Sequence, residues 1–533
     1  MSGALPIWLL VVLSAGALPA QDAERRAIAA LRRALSPKSQ ASPEDRLAAV
    51  ARMQGLDGPA VARALARAHG WLDHRIAAIE AQRLEILHRL YAMRFDPKEK
   101  IKVAGRARGP VLKRARRDAN QTRAVLDEVR EVKLALEAQV RALNGPKALT
   151  WLARSVVAGK RAAVALRVAA AQALGSSDDP GHALLAGILD NDKEAAPIAA
   201  ALAGVAARGP GPAFVRRATA LLRHRVSVVR DRAARALAVS CVADAIPALI
   251  DLLAVSAGQQ RARVIGMLEG MTRQKHGGSL AAWRGWFADN EEDLRSGAIE
   301  LGPKPPTKRK GGGKGKREQE GRSMLPRKEP GPTYMGIPMD GDAIVFVLDA
   351  SSSMNAEVDF ALPGVTRAGG AEPTRLDASQ AELIRALNLL TPSVRFNVLY
   401  FHESVGRFRE VMVLATRENV ALARTFVRSV KPRFATNIHD AMQRAFSLLD
   451  PERSKRPLGD GVDTMFLLTD GRPYLQNAGK GGIRDKWPKI LAACLDWDPL
   501  RRVTVHCIGI GKGIAKRPLR KLAEAFGGTA RFY

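Results

Sequence analysis

The stretch AIVFVLDASSSM, residues 343–354, decides how the C-terminal part of this chain folds. Its first six residues are apolar and partly β-branched, which predicts a buried strand. The strand stops at Asp349, and a row of serines follows. Asp and Ser are common turn formers, so the stretch alone leaves two interpretations open: an ordinary polar turn, or a site that needs oxygen ligands.

The surrounding sequence places this strand in an α/β sheet. Further apolar, β-branched runs occur at 395–401, 463–469 and 502–510. Helical patterns lie between them, near 377–390, 416–429, 438–449 and 484–496. Alternating strands and helices at this spacing predict a mainly parallel, doubly wound sheet. The functional crevice of such sheets lies outside the carboxyl ends of the strands, which is where the serine row falls.

Two further segments supply oxygen ligands, and together the three resemble a known family. FATNIHDAM contains Thr436 before a helix, and FLLTDGRP contains Asp470 after a strand. The segment 334–533 resembles the von Willebrand factor type A (VWA) domain, because VFVLDASSSM, ATNIHDA and LLTDGRP are similar to its three metal-site loops in order and spacing. The resemblance implies a Rossmann-like α/β domain with a metal-ion-dependent adhesion site.

The resemblance also implies a role for each matching residue. Ser351, Ser353 and Thr436 would offer hydroxyl ligands, and Asp349 and Asp470 would contact the metal directly or through water. Two positions depart from the family pattern. Ser352 stands where Gly is frequent, and Ala435 stands before the threonine where Gly is common; both substitutes are small.

The ligand set predicts recognition rather than catalysis. Mg²⁺ prefers about six oxygen ligands, and we expect Mg²⁺ here, with Mn²⁺ or Ca²⁺ as alternatives. Neutral hydroxyls leave the metal electron-poor, so it would accept an exposed Asp or Glu from a protein ligand. The chain contains no HExxH, GxSxG or P-loop motif. His402 follows a predicted strand and His439 falls in the first turn of a predicted helix, so either could lie near the crevice. A structural role is favoured over a catalytic one, and we expect no enzymatic activity.

The N-terminal half predicts an all-α architecture. Residues 21–145 contain two long helical stretches, and the second places Val125, Val129, Val132, Leu136 and Val140 on one stripe. This favours a coiled-coil-like antiparallel hairpin, although two helices of a bundle would fit as well. Residues 146–298 alternate shorter helices with brief breaks and resemble HEAT-type repeats, an α-solenoid.

Residues 299–333 predict a disordered basic linker, because Pro, Gly and Lys dominate there. The whole chain carries a formal net charge of +31. Such a charge predicts attraction to polyanions, through the linker or another basic face. An anionic polymer or a membrane surface would fit, and nucleic acid is a less favoured partner. A solvated, Arg-rich surface is the alternative interpretation.

The N-terminus predicts export. The apolar stretch ALPIWLLVVLSAGALPA, 4–20, has the length of a secretory signal core and ends in small residues, so we expect a signal peptide at 1–20. The segment before it lacks Lys and Arg, and an uncleaved membrane anchor is the alternative. Three cysteines form no disulfide framework.

These observations combine into one hypothesis. The chain is expected to be an exported (periplasmic, cell-surface or secreted), non-enzymatic binding, adhesion or scaffold protein whose VWA domain binds a protein ligand through a divalent metal. The alternatives are a basic polyanion-binding envelope or surface protein, and an assembly subunit of a larger complex.

Overall fold

The computed structural model describes most of the 533 residues and divides the chain into two compact units, Met1–Arg208 and Gly209–Tyr533. It does not describe residues 1–7, 96–107, 178, 209–211, 257, 303–331, 359–372, 449–460, 472, 476–482, 485–486 and 512. Most of the predicted linker, 299–333, therefore lies outside the described residues, as does the start of the predicted signal peptide.

The first unit is helical, as the sequence predicts. Its helices are α1 (Trp8–Leu35), α2 (Pro43–Ala51), α3 (Pro59–Phe95), α4 (Arg108–Arg141), α5 (Pro146–Leu152), α6 (Val164–Ser176), α7 (Asp179–Asn191) and α8 (Ala195–Arg208). Helix α1 continues through Ala20, the last residue of the predicted signal peptide, and cleavage there stays a prediction. None of the helices within the described ranges is long and apolar enough to span a bilayer.

Helices α3 and α4 pack against each other in antiparallel orientation. Leu126, Val129, Leu136 and Val140 of α4 are buried along one face. Val125 is exposed instead, because the buried stripe of α4 passes through the neighbouring Leu126. The helices form the predicted antiparallel pair, whereas coiled-coil packing in the strict sense stays a prediction.

Buried charges also connect this helix pair. His69 of α3 lies between two carboxylates, with Nδ1 2.9 Å from Asp73 Oδ2 and Nε2 3.1 Å from Glu137 Oε1. Lys133 Nζ is 2.7 Å from the other oxygen of Asp73. Arg130 of α4 pairs with Glu80 of α3 further along. The pairs match positions that run in opposite directions along the two helices, so they help to specify the antiparallel register.

The second unit begins with helices and continues into an α/β domain. The helices are α9 (Pro212–Leu221), α10 (Ser227–Ser240), α11 (Ala245–Val255), α12 (Gly258–Thr272) and α13 (Leu280–Ser296). The α/β domain adds α14 (Arg375–Asn388), α15 (Arg417–Ser429), α16 (Ile438–Phe446), α17 (Trp487–Trp497) and α18 (Lys516–Ala525). The HEAT-type character of the shorter helices stays a prediction.

The described strands of this domain form one sheet of seven with two small hairpins beside it. The strands are β1 (Thr333–Tyr334), β2 (Ile337–Pro338), β3 (Ala343–Asp349), β4 (Arg395–Phe401), β5 (Val405–Arg407), β6 (Val413–Leu414), β7 (Thr464–Thr469), β8 (Tyr474–Leu475), β9 (Ile483–Arg484), β10 (Thr504–Gly509) and β11 (Ala530–Phe532). The order in the large sheet is β11-β10-β7-β3-β4-β5, with β6 also paired to β4.

Strands β4, β3, β7, β10 and β11 are parallel, and β5 and β6 pair antiparallel with β4. Alternate residues of β3 point into two separate apolar cores: Val345 and Val347 into one, Ile344 and Phe346 into the other. Helices cover both faces, so the predicted doubly wound fold class is confirmed.

The helices before the α/β domain contact its sheet at the amino-terminal edge. Arg263 of α12 donates through Nη2 to Thr504 Oγ1 and to the Arg502 carbonyl, both at 2.7 Å. Its Nη1 lies 3.2 Å from Asp231 of α10. Thr504 begins β10, so this contact lies at the edge opposite to the one where the parallel strands end.

Candidate functional site

The candidate site lies at the carboxyl edge of the sheet, where two neighbouring central strands end. Asp349 is the last residue of β3 and Thr469 the last residue of β7. The strands are parallel and in register, with Leu348 opposite Leu468. The polar residues that follow each strand therefore meet at the same edge.

The first loop turns tightly enough to bring its oxygen atoms together. The amide of Ser351 donates to Asp349 Oδ1 at 2.8 Å, and the hydroxyls of Ser351 and Ser353 lie 3.0 Å apart. A short 3₁₀ helix, Ser352–Asn355, provides the turn. Ser352 makes none of these contacts.

Asp470 connects the β7 loop to the first loop. Ser353 Oγ donates to Asp470 Oδ1 at 2.7 Å. Sequence reasoning missed the neighbouring Thr469, whose hydroxyl donates to Asp349 Oδ2 at 2.6 Å. The sequence shows that Thr469 ends a predicted strand, but its bond to Asp349 depends on the pairing of β7 with β3. Thr469 positions Asp349 and leaves fewer of its lone pairs free.

Thr436 comes from the loop before α16, and backbone hydrogen bonds hold that loop against the first loop and against the residue that follows β4. The amide of Arg433 donates to the Ala350 carbonyl, and the amide of Asn437 donates to the His402 carbonyl, both at 2.9 Å. A β-carbon added at Gly471 would lie 3.6 Å from Thr436 Oγ1 and 3.8 Å from Ser353 Oγ. The structure therefore brings all five predicted residues to one place.

The electrostatics of the site suit an added cation. Asp349 and Asp470 are both buried. Burial, together with the charge of Asp470, raises the pKa of Asp349 to about 7. Within the described part of the chain, no basic side chain forms an ion pair with Asp349. A buried carboxylate without a cationic partner is costly, and a bound cation would offset that cost.

The donor set fits a hard divalent cation. Two carboxylates and three hydroxyls are the oxygen ligands that Mg²⁺ or Mn²⁺ accepts, with room left for water or an outside group. Among the described residues there is no cluster of three or more His, Cys, Asp or Glu that could hold a metal. The hydroxyls would therefore be essential members of the ligand set.

A basic residue that sequence reasoning did not identify also reaches the site. Arg375 Nη1 lies 3.0 Å from Asp470 Oδ2. Arg375 begins α14, and Thr374 caps that helix in a reciprocal capping box with Asp377. A β-carbon at Gly511 would collide with the Arg375 guanidinium, so the glycine makes room for it. Arg375 lies outside the three loops, and no motif in the sequence indicates its role.

The two histidines near the crevice make local structural contacts. His439 is fully buried, with Nδ1 3.0 Å from Asp440 and its ring against Trp497. His402 Nδ1 accepts from the Ser404 amide at 3.1 Å. Both contacts agree with the structural role that the sequence favoured for these residues.

Comparison with known proteins identifies the domain. The family description "von Willebrand factor type A domain" matches residues 374–532, which include Thr436 and Asp470 but not the first loop. The human (Homo sapiens) inter-alpha-trypsin inhibitor heavy chain H4 is 30% identical over 189 residues, 35% of this chain and 18% of that protein. The human heavy chain H3 is 28% identical over 137 residues, 26% of this chain and 14% of that protein.

Among solved structures, a von Willebrand factor type A protein from Catenulispora acidiphila is 21% identical, with a TM-score of 0.27. The match covers 36% of this chain and 38% of that one. The chain spans less than a fifth of the length of the two heavy chains. The C-terminal segment is a VWA domain, and the resemblance predicted from the three loops is confirmed.

Proposed function

Starting from this VWA domain, we propose that the protein binds a protein ligand through a divalent cation held by Asp349, Ser351, Ser353, Thr436 and Asp470. The convergence of these five residues at the carboxyl edge of the sheet is the observation that carries the proposal. Mg²⁺ is the expected cation. An Asp or Glu of the ligand would complete its coordination.

The same chemistry argues against a catalytic role. Metal-assisted hydrolysis needs an activated water and usually a positioned base or a second metal. His439 is enclosed by Asp440 and Trp497, and the His402 ring contacts its own loop. We therefore propose that the chain is a non-enzymatic binding, adhesion or scaffold protein.

The helical segments would present the domain, and the N-terminal sequence supports export. Arg263 attaches α12 to the amino edge of the sheet, away from the edge that carries the five residues. The apolar stretch 4–20 supports a signal peptide and a location that is periplasmic, on the cell surface or secreted.

The direct test is metal binding by the full-length chain. Titration with Mg²⁺ and Mn²⁺, followed by calorimetry and by the electron paramagnetic resonance signal of free Mn²⁺, should reveal one site. D349N, D470N and S353A should weaken binding by about tenfold or more. The matched control is S393A, at an exposed position before β4 on the opposite edge. A wild-type chain that binds neither ion would contradict the proposal.

A second candidate function rests on the net charge of +31. In that case the chain would bind an anionic polymer or a membrane surface through the basic segment 299–333. Binding to heparin or to vesicles with anionic lipid would then fall steeply with salt and would not respond to EDTA. Deletion of 304–330 would reduce the salt dependence. An assembly role in a larger complex would be compatible with either form of binding.

A further inference from the structure

An exposed aromatic side chain belongs to the loop that carries Thr436 of the predicted cation site. Phe434 is 67% exposed and stands two residues before Thr436 in the chain. A phenylalanine left in water forgoes about 1.5–3 kcal/mol of burial free energy. Isolated exposed apolar residues are common on protein surfaces, so exposure alone would carry no conclusion.

Backbone hydrogen bonds on both sides of Phe434 hold its loop in place, unlike a surface loop without such bonds. The amides on either side, of Arg433 and Asn437, donate to the carbonyls of Ala350 and His402 at 2.9 Å. Ala435, between Phe434 and Thr436, is buried and has a φ of 68°, in the left-handed region. The backbone therefore holds Phe434 at a defined place next to the first loop.

The residues around Phe434 are basic. Arg428, Lys431 and Arg433 are exposed, and the segment 428–437 contains no Asp or Glu. The end of α15 accounts for Arg428, since a cation is favoured at a helix C-terminus. Lys431 and Arg433 follow the helix and have no such explanation. We define Lys431, Arg433 and Phe434 as the Phe434 rim.

We propose that the Phe434 rim binds a protein segment in which an acidic side chain is adjacent to an apolar one. The inference rests on the proposed function, because the acidic side chain would complete the cation site while its apolar neighbour packs on Phe434. The rim's positive charge would attract the acidic segment and orient it.

The observations favour a protein segment over a nucleic acid. Single-stranded nucleic acids are bound by several aromatic side chains on which successive bases stack. The rim offers one aromatic side chain, next to a group of oxygen atoms that would hold a cation. Aromatic and Arg side chains are enriched at protein–protein interfaces, where a few anchors carry most of the binding energy.

The test is a selection of random displayed peptides on the full-length chain in Mg²⁺, with bound peptides eluted by EDTA. We expect wild-type selections to be enriched in Asp or Glu directly next to Leu, Ile, Met or an aromatic residue. F434A should retain the acidic residue and lose the apolar preference, with about tenfold weaker binding of the wild-type peptides. L414A, which removes an exposed apolar side chain on β6 at the opposite edge, is the control and should match the wild type.

Each other outcome has a definite meaning. EDTA-eluted peptides that are acidic without an apolar neighbour would overturn the inference and leave the proposed function intact. Failure to recover any EDTA-eluted peptide, together with normal folding, would overturn both. Release by salt but not by EDTA, with competition by heparin or poly(U), would identify polyanion binding and also overturn the inference. The Mn²⁺ affinity of F434A, expected to equal that of the wild type, excludes a damaged site as the cause.

Discussion

Arg375 Nη1 lies 3.0 Å from Asp470 Oδ2, while the other oxygen of Asp470 accepts from Ser353 Oγ at 2.7 Å. Both oxygens of this predicted metal ligand are therefore already engaged by the chain. A cation that binds here would share Asp470 with a guanidinium, and the guanidinium would add positive charge next to the cation.

This relationship predicts opposite effects of R375Q on metal and on ligand. The Mn²⁺ affinity of R375Q should rise by about tenfold. A hydrogen bond to a charged group is worth about 1.5–3 kcal/mol, and in this variant the metal no longer competes with the Arg375 guanidinium for Asp470. Binding of an acidic peptide to the loaded domain should fall by a similar factor, because one positive charge is lost. Mn²⁺ titration and peptide binding measure the two effects separately.

The control for R375Q is R417Q, at an exposed arginine at the start of α15. Neither affinity should change in that variant. If R375Q lowered both affinities, the arginine would only support the local structure, and the electrostatic account would be wrong.

Because the backbone at Ala435 is left-handed, we expect Gly at this position to be tolerated and a β-branched residue to destabilise the domain. A435G should change the free energy of unfolding by less than about 1 kcal/mol, because relief of left-handed strain is offset by a more flexible unfolded chain. A435V should destabilise the domain by about 2 kcal/mol or more and weaken Mn²⁺ binding, because a β-branched residue fits this φ poorly and Thr436 would move.

Denaturant unfolding of the C-terminal unit and Mn²⁺ titration measure the Ala435 effects. A421V, the same substitution at an exposed position on α15, should cost only about 0.5 kcal/mol through helix propensity. Equal losses in A435V and A421V would contradict a role for the left-handed conformation.

We expect the α/β domain to lose stability in mild acid because of the buried His506. Burial, and then the nearby charge of Arg263, lower the pKa of His506 to about 4. Its Nδ1 accepts from the Thr529 amide at 3.0 Å, which requires an unprotonated nitrogen. His506 binds a proton more readily in the unfolded state than in the folded state. Its full contribution to the free energy of unfolding is therefore present above pH ~6.5 and decreases as the pH drops towards 4, by about 2 kcal/mol at pH 5.

Hydrogen exchange of β10, corrected for the intrinsic rate at each pH, measures this loss. H506Q keeps an acceptor for the Thr529 amide and should flatten the pH dependence, whatever its effect on stability at neutral pH. H74Q, at an exposed histidine of α3, should leave it unchanged. A wild-type slope in H506Q would show that another group is responsible.

We expect the stability of the first unit to depend on pH in the opposite direction, because of His69. Burial alone lowers the pKa of His69, but the bonds to Asp73 and Glu137 outweigh it and raise the pKa above its ordinary value, with Lys133 opposing them. The stabilisation is therefore present below pH ~6.5 and is lost as the pH rises through the folded-state pKa.

Hydrogen exchange of α3 and α4 between pH 6 and 9 would detect the effect of His69. In the wild type, protection from exchange should decrease as the pH approaches 9. E137Q removes one of the two carboxylates beside His69 and should therefore make protection depend less on pH. If E137Q and the wild type lost protection equally, the pairing of His69 with Glu137 would not be the cause.

The sequence was sufficient for the fold class because the relevant signals are local. Apolar, β-branched runs set β3, β4, β7 and β10 to within about two residues of their observed bounds, and helical periodicity set the elements between them. Helical periodicity did not decide whether Val125 is buried. Its spacing fitted the stripe as well as that of Leu126, and only the packing of α4 on α3 chose between them.

The sequence by itself determined which residues could form the candidate site, because Asp349, Ser351, Ser353, Thr436 and Asp470 lie in three recognisable loops. Tertiary structure alone decided what surrounds them. The Thr469–Asp349 bond exists because β3 and β7 are neighbours, and the Arg375–Asp470 bond exists because α14 begins at the same edge of the sheet. Contacts between residues about a hundred positions apart have no local signature, since they depend on how the strands and helices pack.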